Sequence, residues 1–519
     1  MIGLDSQIID ATNLELSLGR INTDVKNDMI LAPHFSAIYA NAGEELWDLT
    51  RRDLKAGSYN PEIPIRMEVP KPGGFTRPGT ILTPRDRLVY QLLIDSIAPA
   101  AEVSLDRRRV LSNIYLNPDP DFHMFEASAN SWTRFQNALR THCENDQFHY
   151  VIRADISNYF ERVKHHNLIG LLKANNCPSG AVNLLEEILM AWTERTSFGI
   201  LQGLFPSDFL GNYYLSVIDS ALTVGGIESI RYVDDLYLFF ANQASTTKGL
   251  IFLISQLRKE GLNLNEAKTH IVPTVDLLRE ETEIDTMFAA AWEEVKGEIE
   301  GGFDYGFQAL WMSEEEIADM LDFQSEALLR LYAEVPNVRP QVAEKIDKFC
   351  LPFFSANGDD VAVDRSIAGL VDRPHLAGLY GSYLARLQDP AREITRRIEL
   401  LFQQDNLPYE TQMMALTAFL IRRDQISDQT INHALAVIQD RSRSSALRGL
   451  FPLLIGKHGS AAQRHNLRNI YADEPSVYVH GAILFSTRYF PADEKRACLT
   501  AWGNHSYVNT LIGQAMRAL

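Results

Sequence analysis

An apolar run at residues 230–240 (IRYVDDLYLFF) is divided by two adjacent aspartates. The β-branched and aromatic residues around them are typical of a buried strand. An unpaired carboxylate is costly to bury, so Asp234 and Asp235 need either a nearby cation or a turn that reaches water. The pattern therefore predicts a β-hairpin with both aspartates at its tip, where their oxygens can bind Mg²⁺.

A second apolar run also ends in an aspartate. Residues 151–154 (VIRA) predict a strand that leads through Asp155 into a turn and then a helix. Aspartate is a common helix N-cap, which is the simplest interpretation of Asp155 by itself. Together with Asp234 and Asp235, however, it supplies three carboxylates suited to holding two Mg²⁺ ions about 3.5–4 Å apart. The pattern thus favours nucleotidyl transfer, in which such ions activate a hydroxyl and neutralise a leaving pyrophosphate.

The pattern of elements changes along the chain and predicts three parts. Residues 1–275 mix short strands with helices, and residues 276–323 form an acidic bridging segment. From residue 324 to 519, helices of roughly 10–16 residues are joined by short polar loops. Roughly thirty to forty residues per helix pair predicts a HEAT-like helical-repeat domain. An irregular helical bundle is the alternative, because no sequence motif repeats.

Local signals mark the starts of some of these helices. Asp389, followed by proline, predicts the N-cap of a helix that runs to Phe402. Ser427 predicts the N-cap of a helix that ends near Gln439.

Composition qualifies this picture without changing it. Of the net charge of −18, the segment from residue 276 to residue 322 carries −13, from 15 acidic and two basic residues. The remainder is nearly neutral, so the overall acidity does not exclude nucleic acid as a partner.

No apolar stretch is long enough to span a membrane and no signal peptide is evident, which predicts a cytoplasmic protein. The four cysteines are widely spaced, which predicts reduced structural thiols rather than a zinc site.

Several motifs stand in an order that resembles a reverse transcriptase over roughly residues 50–275. They are VPKPGGFTR (69–77), DRLVYQ (86–91), Asp155 with Phe160, LQG (201–203) with SDFLGNYYL (207–215), YVDD (232–235) and LNLNEAKT (262–269). The resemblance implies an α+β fingers–palm domain within residues 1–275. It also implies a Mg²⁺-dependent DNA polymerase that uses two ions, with Mn²⁺ as an alternative.

The same resemblance implies roles for individual residues. The metal site comprises Asp155, Ile156, Asp234 and Asp235, and the three aspartates are also catalytic. Lys268 protonates the leaving pyrophosphate. The incoming deoxynucleoside triphosphate is contacted by Lys71, Arg77, Phe160, Gln202 and Gly203.

Two of these roles have simpler structural alternatives, and two histidines are set aside. Phe160 excludes a ribose hydroxyl in the implied role, but it is also an ordinary core residue. Lys71 is alternatively a solvated loop lysine. His165 and His166 follow Asp155 by about ten residues and are predicted to lie on a polar helix surface rather than to bind a ligand.

No primer-grip, thumb or RNase H motif follows Lys268 in the sequence. A fingers–palm core followed directly by helical repeats resembles the bacterial defence-associated and abortive-infection reverse transcriptases, including the AbiK-like and Abi-P2-like enzymes and unknown-group reverse transcriptases. That resemblance implies anti-phage defence and homo-oligomers (trimer or hexamer). Some members of that group make DNA without a template on a protein primer, and both templated and untemplated synthesis stay open for this chain. Two alternatives stay open. One is reverse transcription of a dedicated noncoding RNA, and the other is a non-catalytic nucleic-acid-binding sensor or scaffold.

Overall fold

A computed structural model describes residues 3–4, 6–117, 119–280, 287–288 and 326–519. Most of the predicted acidic bridging segment lies outside these residues. The described chain is mostly helical and contains two small β-sheets.

Helices and strands of the first half have the following bounds within the described residues. They are α1 (Ser6–Asp10), α2 (Leu14–Asp24), α3 (Pro33–Asn41), α4 (Gly43–Lys55), β1 (Ile65–Pro70), β2 (Thr76–Ile81), α5 (Pro84–Glu102), α6 (Ser128–Cys143), β3 (Tyr150–Ala154), α7 (Tyr159–Arg162), α8 (His165–Ala174), α9 (Ser179–Trp192), α10 (Phe205–Tyr214), α11 (Ser216–Val224), β4 (Glu228–Tyr232), β5 (Asp235–Phe240), α12 (Gln243–Glu260) and β6 (His270–Pro273).

The second half, as far as it is described, consists of helices. They are Glu326–Ala333, Pro340–Asn357, Val363–Asp372, Ala377–Arg386, Glu393–Gln404, Glu410–Arg422, Asp428–Gln439, Ser445–Arg448, Phe451–His458, Ala461–Asp473, Val477–Ser486, Ala492–Trp502 and Tyr507–Ala518. None of the helices in the described residues is both long and apolar enough to cross a membrane.

The chain divides into two compact units that do not follow its order. The first unit takes its described residues from Met1–Arg20, Arg51–Ile63 and Leu88–Gly302. The second takes them from Ile21–Thr50, Pro64–Arg87 and Phe303–Leu519. Strands β1 and β2 thus share a unit with the C-terminal helices, while β3 to β6 belong to the other.

A four-stranded antiparallel sheet forms the centre of the first unit, in the order β4-β5-β3-β6. One face of this sheet carries Val151 and Tyr237, which are buried against Phe135 and Leu139 of helix α6. Helix α12 covers the other face, where Gly249 leaves room for the ring of Phe240. Apolar residues on both faces explain why these strands form continuous hydrophobic runs in the sequence.

In the second unit, the antiparallel hairpin β1–β2 packs against helices Glu410–Arg422 and Ser445–Arg448. Helix α3 packs against Tyr507–Ala518 and Val477–Ser486. The ring of His34 on α3 lies 4.5 Å from the ring of Tyr478. Helices of the C-terminal half therefore share a core with elements from residues 21–50 and 64–87.

The C-terminal helices form two rows. In one row, Ala377–Arg386, Glu410–Arg422, Phe451–His458, Val477–Ser486 and Tyr507–Ala518 each pack against the next. In the other row, Glu393–Gln404 packs against Asp428–Gln439, which packs against Ala461–Asp473. Helix Glu410–Arg422 of the first row is buried along most of its length, from Thr411 to Leu420.

The local signals for these helices were partly right. Ser427 is the N-cap of Asp428–Gln439 and accepts a hydrogen bond from the Thr430 amide, as predicted. The helix predicted to follow Asp389 begins later, at Glu393. Asp389 still accepts bonds from Ile394 and Thr395 amides, so it caps the first turn from the preceding loop.

The cysteines agree with the sequence prediction. Cys143, Cys177, Cys350 and Cys498 are buried, and none of these four forms a disulfide. Burial raises the pKa of the Cys350 thiol, which keeps it protonated and unreactive.

Candidate active site

The hairpin β4–β5 presents the two adjacent aspartates as predicted. Tyr232 pairs with Asp235 across the strands, which leaves Val233 and Asp234 as the two turn residues. Asp235 is the first residue of β5. Because Asp234 lies in the turn rather than in a strand, its side chain is not forced to the opposite face from that of Asp235.

Strand β3 brings Asp155 to the same edge of the sheet. Its last residue, Ala154, pairs with Leu236, so Asp155 follows at the level of Asp235. The loop before β6 fixes this position, because the Asn265 amide donates to the Asp155 carbonyl at 2.8 Å and the Ser157 amide to the Asn263 carbonyl at 2.9 Å. Three predicted carboxylates and the loop that carries Lys268 therefore meet at one edge.

Lys268 contacts the first of these carboxylates directly. Its Nζ lies 3.3 Å from Asp155 Oδ1, although the lysine side chain is 67% exposed. An ammonium at this distance compensates part of the negative charge of the cluster.

Burial and the charge of neighbouring carboxylates raise the pKa values of Asp234 and Asp235. The pKa of Asp234 rises from 3.8 to about 6, chiefly because the group is buried and then because Asp235 and Asp155 are negatively charged. Burial and the charge of Asp155 also raise the pKa of Asp235, while Arg153 and Lys268 act in the opposite direction. The cluster thus favours a further positive charge.

These residues suit a hard divalent cation in their chemistry, since carboxylate oxygens are its preferred ligands. Within the described residues, however, no three His, Cys, Asp or Glu side chains are grouped closely enough to hold a metal ion. The three predicted carboxylates therefore share one edge of the sheet without forming such a group, and Asp155 forms an ion pair with Lys268. Ile156, predicted as part of the metal site, has a buried apolar side chain and forms a β-bridge with Leu264, so only its main-chain carbonyl could serve as a ligand.

Val233 holds the turn in an unusual conformation. Its φ is 55°, in the left-handed region that a β-branched residue rarely adopts. Such strain costs about 1–3 kcal/mol and persists only where the surroundings enforce it. The Val233 amide donates to Ser112 Oγ at 2.7 Å, and the Val233 carbonyl accepts from Arg231 Nη1 at 3.0 Å.

Sequence reasoning missed Arg231 as a residue of the site. It stands in an apolar strand and is 1% exposed, with its guanidinium bonded to Asp219 and Asn212. A charged residue inside an apolar run was the available signal, because a buried charge requires partners. Those partners, however, lie on α10 and α11 and could not be read from the strand itself.

Phe160 packs against α10 at its glycine. A Cβ added at Gly211 would lie 3.2 Å from Phe160 Cζ, tighter than most contacts of real Cβ atoms. The neighbouring Tyr159 donates to the Gly211 carbonyl at 2.5 Å. Phe160 remains half-buried, so it both contacts the core and keeps part of its ring accessible.

The loop with Gln202 and Gly203 lies beside the Phe160 segment. The Ile200 amide donates to the Phe160 carbonyl at 2.9 Å, and Gly203 has a φ of 80° that glycine adopts without strain. Gln202 is half-buried in this loop.

One of the two histidines set aside as surface residues belongs to the support of this loop. His165 is 1% exposed, and its Nε2 lies 2.6 Å from the Gly199 carbonyl, so the surface prediction is wrong for His165. His166 is exposed as predicted. The helical pattern around the pair did not reveal that the Gly199 loop folds back onto His165.

Lys71 and Arg77 belong to the second unit, where they flank the turn of the β1–β2 hairpin. The Lys71 amide donates to the Phe75 carbonyl at 2.6 Å across this turn. Gly73 and Gly74 both have φ near 82°, which explains the paired glycines. The structure thus brings the other predicted residues together in one unit and places Lys71 and Arg77 in the other.

The sequence of this region matches a known family. Residues 69–285 match the model of the family described as "Reverse transcriptase (RNA-dependent DNA polymerase)". This segment is therefore similar to a reverse transcriptase domain. It includes every residue predicted for the candidate active site, from Lys71 to Lys268.

Two curated proteins share parts of the chain. Protein YkfC of Escherichia coli (strain K12) is 25% identical over 186 residues, which cover 34% of this chain and 44% of that protein. The COX1/OXI3 intron 2 protein of Saccharomyces cerevisiae (strain ATCC 204508 / S288c) is 26% identical over 181 residues, which cover 33% of this chain and 19% of that protein. The chain therefore spans less than half the length of either relative.

Among solved structures, telomerase from Candida tropicalis is similar in two states. In the complex with the TWJ fragment of telomeric RNA, the match has a TM-score of 0.31 and 12% identity, covering 70% of this chain and 64% of that one. For apo telomerase, the TM-score is 0.31 and the identity is 11%, with 88% of this chain and 70% of that one covered.

Proposed function

We propose that this protein is a divalent-metal-dependent DNA polymerase of the reverse-transcriptase type. The observation that carries the proposal is the meeting of Asp155, Asp234 and Asp235 at one edge of the four-stranded sheet. The pKa values of Asp234 and Asp235 are raised, so a bound cation would stabilise their charged forms. The match of residues 69–285 to the reverse transcriptase family supports the same reaction class.

The proposed metal ligands are the carboxylates of Asp155, Asp234 and Asp235, with the main-chain carbonyl of Ile156. Mg²⁺ is the proposed ion and Mn²⁺ an alternative. When bound, such ions orient the primer hydroxyl and neutralise charge on the triphosphate. Asp155 must then leave its ion pair with Lys268, and this frees the ammonium to protonate the leaving pyrophosphate.

Five residues are proposed to contact the incoming nucleotide, as the resemblance to reverse transcriptases implies. In the first unit, Phe160 lies against Gly211 with part of its ring accessible, which suits the exclusion of a ribose 2′-hydroxyl. Gln202 and Gly203 lie in the adjoining loop. In the second unit, Lys71 and Arg77 on the β1–β2 hairpin are proposed to bind the triphosphate, with lysine as a point charge and arginine as a fork.

The biological role and the template are proposals that rest on the resemblance in layout. We place the chain among defence-associated, abortive-infection reverse transcriptases that act in the cytoplasm as homo-oligomers and without a template, with a protein primer. The two rows of C-terminal helices support a HEAT-like arrangement, because each helix packs mainly on its near neighbours. Copying of a dedicated noncoding RNA is the second candidate, which the RNA-dependent activity named for the family favours.

The activity is tested by incubating purified protein with labelled deoxynucleoside triphosphates and Mg²⁺ or Mn²⁺. Wild type should form labelled DNA, and Asp234→Ala should not. Asp146→Ala, which changes an exposed aspartate in a loop of the same unit, is the matched control. No product from wild type, or equal product from Asp234→Ala, would show that the chain is not this enzyme.

The template is tested by sequencing the nucleic acid that co-purifies with the protein. RNA of one sequence supports copying of a dedicated RNA. DNA that remains with the protein after phenol extraction supports covalent priming on a side chain.

A further inference from the structure

The turn that carries Asp234 is held by side chains from outside the hairpin. Both main-chain polar groups of Val233 bond to side chains, the amide to Ser112 and the carbonyl to Arg231. Ser112 is fully buried and is brought to the turn because residues 109–111 bond along β4, where the Leu111 amide donates to the Arg231 carbonyl. The unusual φ of Val233 is thus fixed at both of its peptide bonds.

Ser112 and Arg231 are themselves joined through Asn212 of α10. Asn212 Oδ1 accepts from Arg231 Nη1 at 2.5 Å, and Asn212 Nδ2 donates to the Ser112 carbonyl at 2.8 Å. Arg231 Nη2 also donates to the Asn212 carbonyl at 2.7 Å. We call Ser112, Asn212, Asp219 and Arg231 the turn cradle.

Asp219 completes the cradle by compensating the charge of Arg231. Its carboxylate accepts from Arg231 Nε at 3.0 Å and from Arg231 Nη2 at 2.9 Å. The planar guanidinium of Arg231 therefore donates hydrogen bonds to the Asp219 carboxylate, the Asn212 side-chain amide and the Val233 carbonyl. Lysine could not reproduce this arrangement, because its ammonium is a single point donor.

Stability by itself gives a weak reason for this buried network. A buried ion pair is often no more stabilising than apolar residues of the same volume. The network is, however, directed at the main chain of the one residue that precedes Asp234. The geometry of this network is explained if the network serves to position the Asp234 carboxylate.

We propose that the turn cradle is a positioning device that sets the affinity of the Asp155, Asp234 and Asp235 site for its divalent cation. Arg231 and Ser112 act through Val233 and do not touch the ion or the substrate. When either is lost, Val233 relaxes towards negative φ and Asp234 moves away from Asp155 and Asp235. This proposal rests on the proposed function for the identity of the site, but cation binding tests it separately from catalysis.

The primary variant is Ser112→Ala, which removes one hydroxyl and leaves the buried charges paired. Mn²⁺ alone is the probe, and its binding to the full chain is measured by electron paramagnetic resonance. Ser112→Ala should weaken Mn²⁺ binding about 5–10-fold, because a lost hydrogen bond to a buried amide changes an equilibrium by roughly that factor. In polymerase assays the half-saturating Mn²⁺ concentration should rise by the same factor, with little change in the KM for nucleotide.

Ser229→Ala is the matched control. Ser229 is a buried serine on β4 whose hydroxyl accepts from Arg109 and is not part of the cradle. Its Mn²⁺ affinity should equal that of wild type. Adding Val233→Gly to Ser112→Ala should recover part of the lost affinity, since glycine adopts positive φ without strain. A merely structural role of Ser112 would predict no such recovery.

Arg231→Lys provides a second, stronger perturbation and should weaken Mn²⁺ binding more than Ser112→Ala. If Arg231→Lys does not fold, as judged by circular dichroism, the proposal is tested by the Mn²⁺ affinities of Ser112→Ala and of the double variant Ser112→Ala with Val233→Gly. Wild-type Mn²⁺ affinity in folded Ser112→Ala, or no Mn²⁺ binding by wild type, would overturn the proposal. Mn²⁺ binding without any nucleotide incorporation by wild type would instead overturn the proposed function and leave the cradle supported by its binding data.

Discussion

Lys268 Nζ lies 3.3 Å from Asp155 Oδ1, and a main-chain bond from Asn265 to Asp155 fixes the two segments in register. The distance couples an exposed, movable cation to the carboxylate that ends β3. A lysine in this position can serve as the counter-ion of the Asp155 carboxylate and as a proton donor once that carboxylate binds another group.

Replacement of Lys268 by methionine separates these two roles. We expect kcat to fall about 100-fold, within the usual range for loss of a general acid. Cation affinity should not fall, because the variant removes a positive charge that competes for Asp155. Single-turnover incorporation and Mn²⁺ binding measure the two effects.

Lys248→Met is the control, since Lys248 is an exposed lysine of the same unit on α12. A Lys268→Met enzyme with wild-type kcat would rule out proton donation by this lysine. Weaker Mn²⁺ binding in that variant would contradict the competition between lysine and metal.

Asp234 should make the metal-free protein less stable as the pH rises. Its pKa is about 6 when folded and near 3.8 in an unconstrained chain. The folded state therefore binds the proton of Asp234 more tightly than the unfolded state does. This adds to the free energy of unfolding below pH 3.8, and the addition is lost as the pH rises through 6. Asp234→Asn should remove this dependence and stabilise the metal-free protein at pH 8 by about 1–3 kcal/mol.

Thermal unfolding in a chelator at pH 5 and pH 8 provides the measurement. The gain in Tm from Asp234→Asn should be a few degrees at pH 8 and smaller at pH 5. A gain that does not depend on pH would mean that relief of charge is not its cause.

Phe160→Ala should relax selection against ribonucleotides. The ring is supported by Gly211, where a Cβ would lie 3.2 Å from Phe160 Cζ. Removing the ring opens space at the sugar, and the ratio of kcat/KM for deoxynucleotide over ribonucleotide should fall about 10–100-fold, or about 1–3 kcal/mol. Steady-state incorporation of both nucleotides tests this.

Gly211→Ala gives a graded companion to that variant. The added methyl displaces the Phe160 ring without removing it, so selectivity should change less than in Phe160→Ala. If Phe160→Ala selects deoxynucleotides over ribonucleotides as well as wild type does, Phe160 serves only in core packing.

Tyr409→Phe should weaken nucleotide binding through the hairpin that carries Lys71. The Tyr409 hydroxyl donates to the Gly74 carbonyl at 2.9 Å, within the second unit. Loss of one such bond changes stability by about 0.5–1.5 kcal/mol, so the KM for nucleotide should rise roughly 2–10-fold while kcat holds. Tyr489→Phe, which removes a hydroxyl bonded to Arg488 in the same unit, is the control. An effect on kcat alone would place Tyr409 outside nucleotide binding.

The sequence predicted those parts of the site that depend on near neighbours. An apolar run interrupted by Asp234 and Asp235 can form few structures other than a hairpin. Ser427 caps its helix through a hydrogen bond from the amide three residues later. The order of the motifs also indicated the similarity to reverse transcriptases, which the family match over residues 69–285 bears out.

Features that depend on distant contacts were not predicted. Asp219 and Asn212 meet Arg231 only after α10 and α11 have packed beneath the hairpin. The place of His165 depends likewise on the fold of the Gly199 loop. Such pairings follow from tertiary packing, which overrides the local pattern.

The second unit combines N-terminal and C-terminal segments, and this determines where the chain can be divided into fragments. Helix α3 and the β1–β2 hairpin bury residues such as Ile38 and Met67 in a unit that includes the last helix, Tyr507–Ala518. A fragment cut near residue 275 would expose this apolar surface and lose the support of the hairpin that carries Lys71. The two fragments should instead complement each other when they are co-expressed, so the protein should behave as a split enzyme rather than as a catalytic module with a detachable tail.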